Sequence, residues 1–237
     1  LALVLGDEVV ERPFTPVHSP HRLVAALDEG PADAQRLPSF EFAIRVYPEG
    51  ALTPQLAALQ PGAKVQVAPG LRAQAPDLAS CALLPLGQIE MLFLFAGGSG
   101  ITPLLQVLEN AIDRSKTASP TLRIVFVCAN QSFKRSLALD MLSGLSRKIT
   151  KTCAAHTQLE VVHLFSDTNG VALPANQRVE KATRADDPAF LASIGVRESG
   201  IGQAFASCGP QGFMTAVREG LCGSMAVPAS SIVEFAG

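Results

Sequence analysis

The feature that most constrains this chain is a change of period near residue 89. Before it, apolar residues recur at every second position. After it, they come as solid runs alternating with helical stripes. "FEFAIRVY" (40–47) sets Phe40, Phe42, Ile44 and Val46 against Glu41, Ala43, Arg45 and Tyr47, the alternation of a half-buried strand. "AKVQVAPG" (63–70) repeats it more briefly, and residues 1–5 read as a strand already under way. Short strands without long helices between them predict a small antiparallel β-barrel or sandwich over residues 1–86.

Residues 87–237 follow another grammar. "IEMLFLFA" (89–96), "TLRIVFVCA" (121–129), "LEVVHLFS" (159–166) and "QAFASC" (203–208) read as buried strands. A helix after the first would carry Leu104, Val107, Leu108, Ala111 and Ile112 on one face, with Thr102 as N-cap and Pro103 in the first helical position. A second helix would run from a Ser132 cap through Leu145, and a third from Gln211 to Leu221 with Phe213, Val217 and Leu221 aligned. Residues 168–200 are polar and punctuated by Pro and Gly, with one short helix expected near 188–194. Alternating strand and helix predicts a doubly wound parallel sheet. The fold class is therefore mixed β and α/β.

Composition then narrows the function. The 237 residues are 48% hydrophobic and 17% charged, as in a folded globular chain, and the formal net charge of -2 gives no electrostatic case for nucleic acid or an anionic surface. No apolar run approaches the roughly 20 residues that span a bilayer. Five cysteines without a CxxC pair argue against a disulfide framework and for a reducing intracellular compartment. No targeting segment is recognisable, and a start inside a strand suggests a fragment of a longer chain. His18, His21, His156 and His163 show no metal-ligand spacing, so no metal site is expected. Asp186 and Asp187 read as a helix N-cap and a solvated loop.

In a doubly wound sheet, ligands sit beyond the carboxyl ends of the strands. Two loops there are rich in glycine: "AGGSGIT" (96–102) and "SCGPQG" (207–212). Glycines at 97, 98 and 100 would let a dinucleotide lie against bare backbone, beside the free N–H groups of a helix N-terminus. The order is not GxGxxG, and glycines also serve tight turns, so one loop alone would carry little.

Six stretches, in order, resemble the cytochrome b5 reductase family of the wider ferredoxin–NADP reductase superfamily. They are "RPFTPV" (12–17), "IRVYPEGALT" (44–53), "AGGSGITPLLQVL" (96–108), "CANQS" (128–132), "CGPQGFM" (208–214) and "VEF" (233–235). The resemblance implies an FAD-binding barrel followed by an NAD(P)H-binding domain. It implies that Arg12, with Pro13 in the same motif, forks onto the FAD pyrophosphate, as a guanidinium does better than an ammonium. Phe14 would lie against the isoalloxazine where the family usually has tyrosine, and Thr15 would bond the ring edge. Arg45 and Tyr47, on one face of their strand, would meet the FAD phosphates and adenine end, with Ile44 in the same cofactor-binding stretch and Gly50, Leu52 and Thr53 turning under the pyrophosphate. Ala51 stands in place of the family's lysine there.

Thr102 would touch the flavin from the second domain. Gly97, Gly98, Cys208, Gly209, Pro210 and Met214 would frame nicotinamide and pyrophosphate, with Thr102 and Cys208 at the reacting rings. Phe235 would be the aromatic near the flavin, although Ala236 and Gly237 follow it. Asp167, after the third apolar strand, would favour NADH by repelling a 2′-phosphate, with Arg178 and Lys181 able to offset this so that NADPH is not strictly excluded.

The implied activity is hydride transfer from nicotinamide to FAD, then single electrons to a haem protein such as cytochrome b5. The expected chain is a monomer, cytoplasmic or membrane-associated through a segment outside this sequence. Two other readings stand beside it: a reductase module of a larger fused protein, and a nucleotide-binding module without turnover.

Overall fold

The structure is a computed structural model that describes residues 2–5, 8–11, 14–17, 41–65, 89–115, 121–152, 157–167, 176–181 and 184–235. Strands β1 (Ala2–Leu5) and β2 (Glu8–Glu11) form an antiparallel hairpin, and α1 (Thr53–Ala58) is a short helix. The alternating segment 41–47 belongs to no sheet, contrary to expectation, and residues 63–65 belong to none either. Alternation makes a strand only where a partner takes up the backbone groups. Here the Val17 N–H donates to the Glu41 carbonyl at 2.9 Å, while Val46 and Tyr47 stand about half exposed. The residues that would complete a barrel, 18–40 and 66–88, lie outside the described residues.

The second part is a six-stranded parallel sheet of β3 (Met91–Gly97), β4 (Leu122–Ser132), β5 (Thr157–Asp167), β6 (Gln177–Lys181), β7 (Gln203–Cys208) and β8 (Ile232–Phe235). Its order is β6-β5-β4-β3-β7-β8. From β3 the chain winds outward through α2 (Ile101–Ser115) and α3 (Leu139–Thr152) to β4 and β5. After β6 it returns through α4 (Pro188–Ser193) to β7, on the other side of β3, and α5 (Gln211–Glu219) leads to β8. The winding therefore reverses between β3 and β7.

Side-chain alternation along the strands builds two cores. Leu92, Leu94, Ile124 and Phe126 pack with Leu104, Leu108 and Ile112 of α2. On the opposite face Phe93, Phe95, Val125 and Phe205 pack with Leu191 of α4 and Val217 of α5. Every residue of β3 is buried, and Phe93 stacks on Phe205 with ring centroids 5.2 Å apart. Each such phenylalanine contributes roughly 2–3 kcal/mol by leaving water, which is why β3 is an unbroken apolar run.

Several boundaries differ from expectation. Helix α2 grows directly from a 3-10 turn over Gly98–Gly100, so Thr102 lies inside it; its hydroxyl donates to the Ser99 carbonyl at 3.2 Å rather than capping. Ser132 ends β4, opposite Asp167, because the β4–β5 ladder runs on, and α3 starts only at Leu139. Strand β6 and strand β8 were not read from the pattern, and a π-helical turn, Gly220–Ser224, follows α5. The short helix near 188–194 is present, capped by Asp187, whose carboxylate accepts from the Phe190 N–H at 3.0 Å.

Candidate functional site

The two glycine loops meet at the carboxyl ends of β3 and β7. A Cβ placed on Gly100 would lie 2.2 Å from the Cys208 carbonyl oxygen and 2.7 Å from the Gly209 nitrogen. One on Gly209 would lie 2.9 Å from the Gly97 Cα, and one on Gly97 would lie 2.7 Å from the Phe213 ring. The sequence sets all of these glycines against a ligand; in the structure Gly97, Gly100 and Gly209 let two loops and α5 touch one another. Gly98 is different. Its φ is +57°, and a Cβ there would approach nothing closer than the Arg45 Nη1 at 3.8 Å. It is the glycine of the first loop that is turned to open space.

That space is a cleft of about 610 Å³ beyond the strand ends. Small-molecule sites run to roughly 300–1,000 Å³, mostly apolar with a few polar groups. The apolar lining here is Ala129, Leu164, Phe165, Ala185, Phe213 and Ala216. The polar lining is Arg45, Asn130, Gln131, Arg184 and Asp186, and Gly97, Gly98, Pro210 and Gly212 form the glycine end.

Arg45 reaches this cleft from segment 41–47. Its Nη2 donates to the Asn130 Oδ1 at 3.4 Å and to the Arg135 carbonyl. Arg184 donates from Nε to the Asp186 Oδ1 at 2.9 Å and from Nη2 to the Asp186 Oδ2 at 2.8 Å. These hydrogen bonds hold the Asp186 carboxyl below the usual carboxylate range. The loop that carries the pair is fixed from behind, since a Cβ on Gly220 would lie 2.7 Å from the Asp186 Cα.

A second group gathers on the α2 face. Thr102 and Gln106, one helical turn apart, are 7% and 4% exposed, and the Gln106 amide donates to the Pro16 carbonyl. Val17 is buried in the same core as Cys208 and Phe235, with Phe14 and Thr15 half-buried just before it. In register, Cys208 stands between Ala96 of β3 and Phe235 of β8. Burial pushes the Cys208 thiol up to about 11, so it is protonated at neutral pH.

The remaining site residues are placed as follows. The Gly50 N–H donates to the Tyr47 carbonyl at 2.8 Å, and the Tyr47 N–H to the Thr53 Oγ1 at 2.9 Å, closing the 47–53 turn over a buried Leu52. Ile44 is half-buried. The buried Met214 donates its N–H to the Pro210 carbonyl at 3.1 Å. Asp167 ends β5. Arg178 is engaged by Glu160 and Glu180, each at 3.2 Å. Arg12 and Pro13 lie outside the described residues.

Thus the residues assigned to the nicotinamide end divide. Gly97, Gly98 and Pro210 line the cleft, whereas Thr102 and Cys208 face the side where segment 14–17 docks. Phe165, Phe213, Asn130, Gln131, Arg184 and Asp186 were not assigned to a site from sequence. Asn130, Gln131 and Phe213 sit inside the "CANQS" and "CGPQGFM" stretches, which carried the only available signal. Among the described residues no group of three or more His, Cys, Asp or Glu could hold a metal ion, and no helix is long and apolar enough to cross a membrane.

A parallel sheet with a glycine-lined crevice at its switch point defines the class, and comparison agrees. The chain belongs to the oxidoreductase NAD-binding domain family, which it matches over residues 94–219, within the cytochrome b5 reductase and ferredoxin–NADP reductase superfamily. It is 25% identical over 143 residues to NADH-cytochrome b5 reductase 2 of Mycosarcoma maydis, covering 60% of this chain and 33% of that protein. It is 34% identical over 109 residues to cytochrome b5 reductase 4 of Rattus norvegicus, covering 46% and 19%. The chain therefore spans a third or less of these two relatives. In structure it resembles the cytochrome b5 reductase domain of Ulva prolifera nitrate reductase, with TM-score 0.61 and 16% identity over 99% of this chain and 82% of that one. It also resembles the CS-b5R domains of human Ncb5or, with TM-score 0.60 and 21% identity over 99% and 58%.

Proposed function

We propose that the chain is an FAD-dependent oxidoreductase that takes reducing equivalents from NADH and delivers single electrons to a haem protein such as cytochrome b5. The observation that carries this is the cleft at the β3/β7 switch, open at Gly98 and backed by a second, buried group on the α2 side, where a flavin would lie. The domain division at 1–86 and 87–237 belongs to the same proposal.

The residues present fit a pyridine nucleotide. Gly98 admits it against the backbone, and Phe165, Phe213 and Leu164 offer apolar surface. They also fit a flavin at the docked segment, where Phe14 and Thr15 precede the Pro16 held by Gln106, four residues beyond Thr102 on α2. Arg45 is engaged by Asn130 and the Arg135 carbonyl, and the "RPFT" motif assigns the FAD pyrophosphate to Arg12. A bound flavin supplies a hydride acceptor that releases its electrons one at a time. The chain's own contribution would be positional: the β3 and β7 strand ends would bring the two rings to near-contact distance. The Cys208 thiol, neutral by burial, offers a small uncharged surface and no proton chemistry.

The test is spectroscopic. The protein refolded with FAD should be yellow and should bleach anaerobically on adding NADH. Failure to retain FAD or to bleach would leave only nucleotide binding. Asp167→Thr should narrow a roughly tenfold preference for NADH over NADPH chiefly by improving NADPH, read as kcat/KM for both. A parent enzyme that prefers NADPH defeats that assignment. The same chemistry within a longer electron-transfer protein is a second reading, supported by the small share of the relatives that this chain matches.

A further inference from the structure

We propose that Arg184 and Asp186 set which pyridine nucleotide the cleft accepts: Asp186 clamps Arg184 so that the site suits a free ribose 2′-hydroxyl, and opening the clamp turns it toward a 2′-phosphate. The inference rests on the nucleotide reading above and deepens it.

The cleft has two ends. Gly98 and Pro210 mark one, at the carboxyl ends of β3 and β7. Leu164 and Phe165 of β5 mark the other, across β4, and the loop 184–186 lines the same cleft. A dinucleotide whose nicotinamide points to the β3/β7 end places its adenosine ribose toward Arg184.

A guanidinium has five N–H donors, and a ribose phosphate would be met by the same planar fork that meets a carboxylate. Here Asp186 occupies that fork, taking Nε at 2.9 Å and Nη2 at 2.8 Å. The carboxylate also cancels the arginine's charge and would itself repel a phosphate. Both effects act against NADPH. The pair can nonetheless be opened, since the Arg184 side chain is 76% exposed and exposed ion pairs are worth little. The loop cannot slide away, because Gly220 packs on the Asp186 backbone.

Two other arginines are committed. Arg178 is held by Glu160 and Glu180, and Arg45 by Asn130 and the Arg135 carbonyl. Among the described side chains lining the cleft, Arg184 is the cation whose release depends on one carboxylate.

Calorimetric binding of 5′-AMP and 2′,5′-ADP tests this without flavin or turnover. Asp186→Ala and Asp186→Asn should each raise affinity for 2′,5′-ADP relative to 5′-AMP, the first by about tenfold, the size of one charge-assisted hydrogen bond gained. Adding Arg184→Ala to Asp186→Ala should remove most of that gain and leave only the relief of repulsion, a dependence that charge removal at Asp167 would not show. An unmoved ratio in both Asp186 variants, or a gain undiminished by loss of Arg184, overturns the clamp while leaving nucleotide binding intact. A parent protein that binds neither probe overturns the nucleotide reading, and the clamp with it.

Discussion

At the scale of single residues, the three glycines of "AGGSG" do different work. A methyl at Gly100 would meet the Cys208 carbonyl at 2.2 Å, backbone against backbone, so one loop must move. Gly98 already sits at φ +57° with open space beside it. Gly98→Ala should therefore cost only the ~1–2 kcal/mol of a left-handed residue, whereas Gly100→Ala should cost about 3 kcal/mol or more through overpacking and displacement of the β7 loop. Urea unfolding of the two variants checks this, and equal costs would refute it. Nucleotide affinity should move in the opposite sense to stability, since Gly98 is the residue facing the cleft.

At the scale of elements, the layer between α3 and β5–β6 holds an acid-sensitive group. His163 is fully buried, stacked on Phe165 at 5.4 Å, with Nε2 3.0 Å from the Gln177 Oε1 and Nδ1 without a partner among the described residues. Gln177 in turn donates to the Ser143 Oγ at 3.4 Å. Burial lowers the imidazole below its ordinary 6.5, with the Gln177 bond opposing this. The unfolded chain then binds the proton more readily. The stability that His163 contributes is full above pH 6.5 and declines as pH falls below it. Denaturation midpoints measured from about pH 7.5 to 5 should show that decline, and His163→Asn should flatten it; an unchanged slope would remove His163 as the cause.

Legibility followed the same elements. Strands β3, β4, β5 and β7 are buried on both faces, so each is an apolar run visible in sequence. Strand β6, "QRVEK", is an edge whose Arg178 pairs with Glu160 and Glu180, and its polarity hides it. The glycine end of the cleft was visible because backbone approach demands particular residues. Arg184 and Asp186 were not, because the crossover from β6 to α4, and no local pattern, carries them there.

At the scale of the whole molecule, the proposed function would need two cofactor regions held in one arrangement. Arg12→Ala should weaken FAD binding by at least tenfold, the loss of a charge-assisted contact. Titration of FAD into the apo-protein reads this directly, and unaltered affinity would remove Arg12 from the site. The change of period at residue 89 looks like a border along which the chain could be cut. It is not a clean one. Val17, from the front part, is a peg seated in the core of the α/β part, and Gln106 grips the carbonyl of the residue before it. A back half produced by itself would carry an empty socket lined by apolar side chains and should aggregate. A hybrid joining this sheet to the front half of a relative would have to inherit peg and grip as a matched pair.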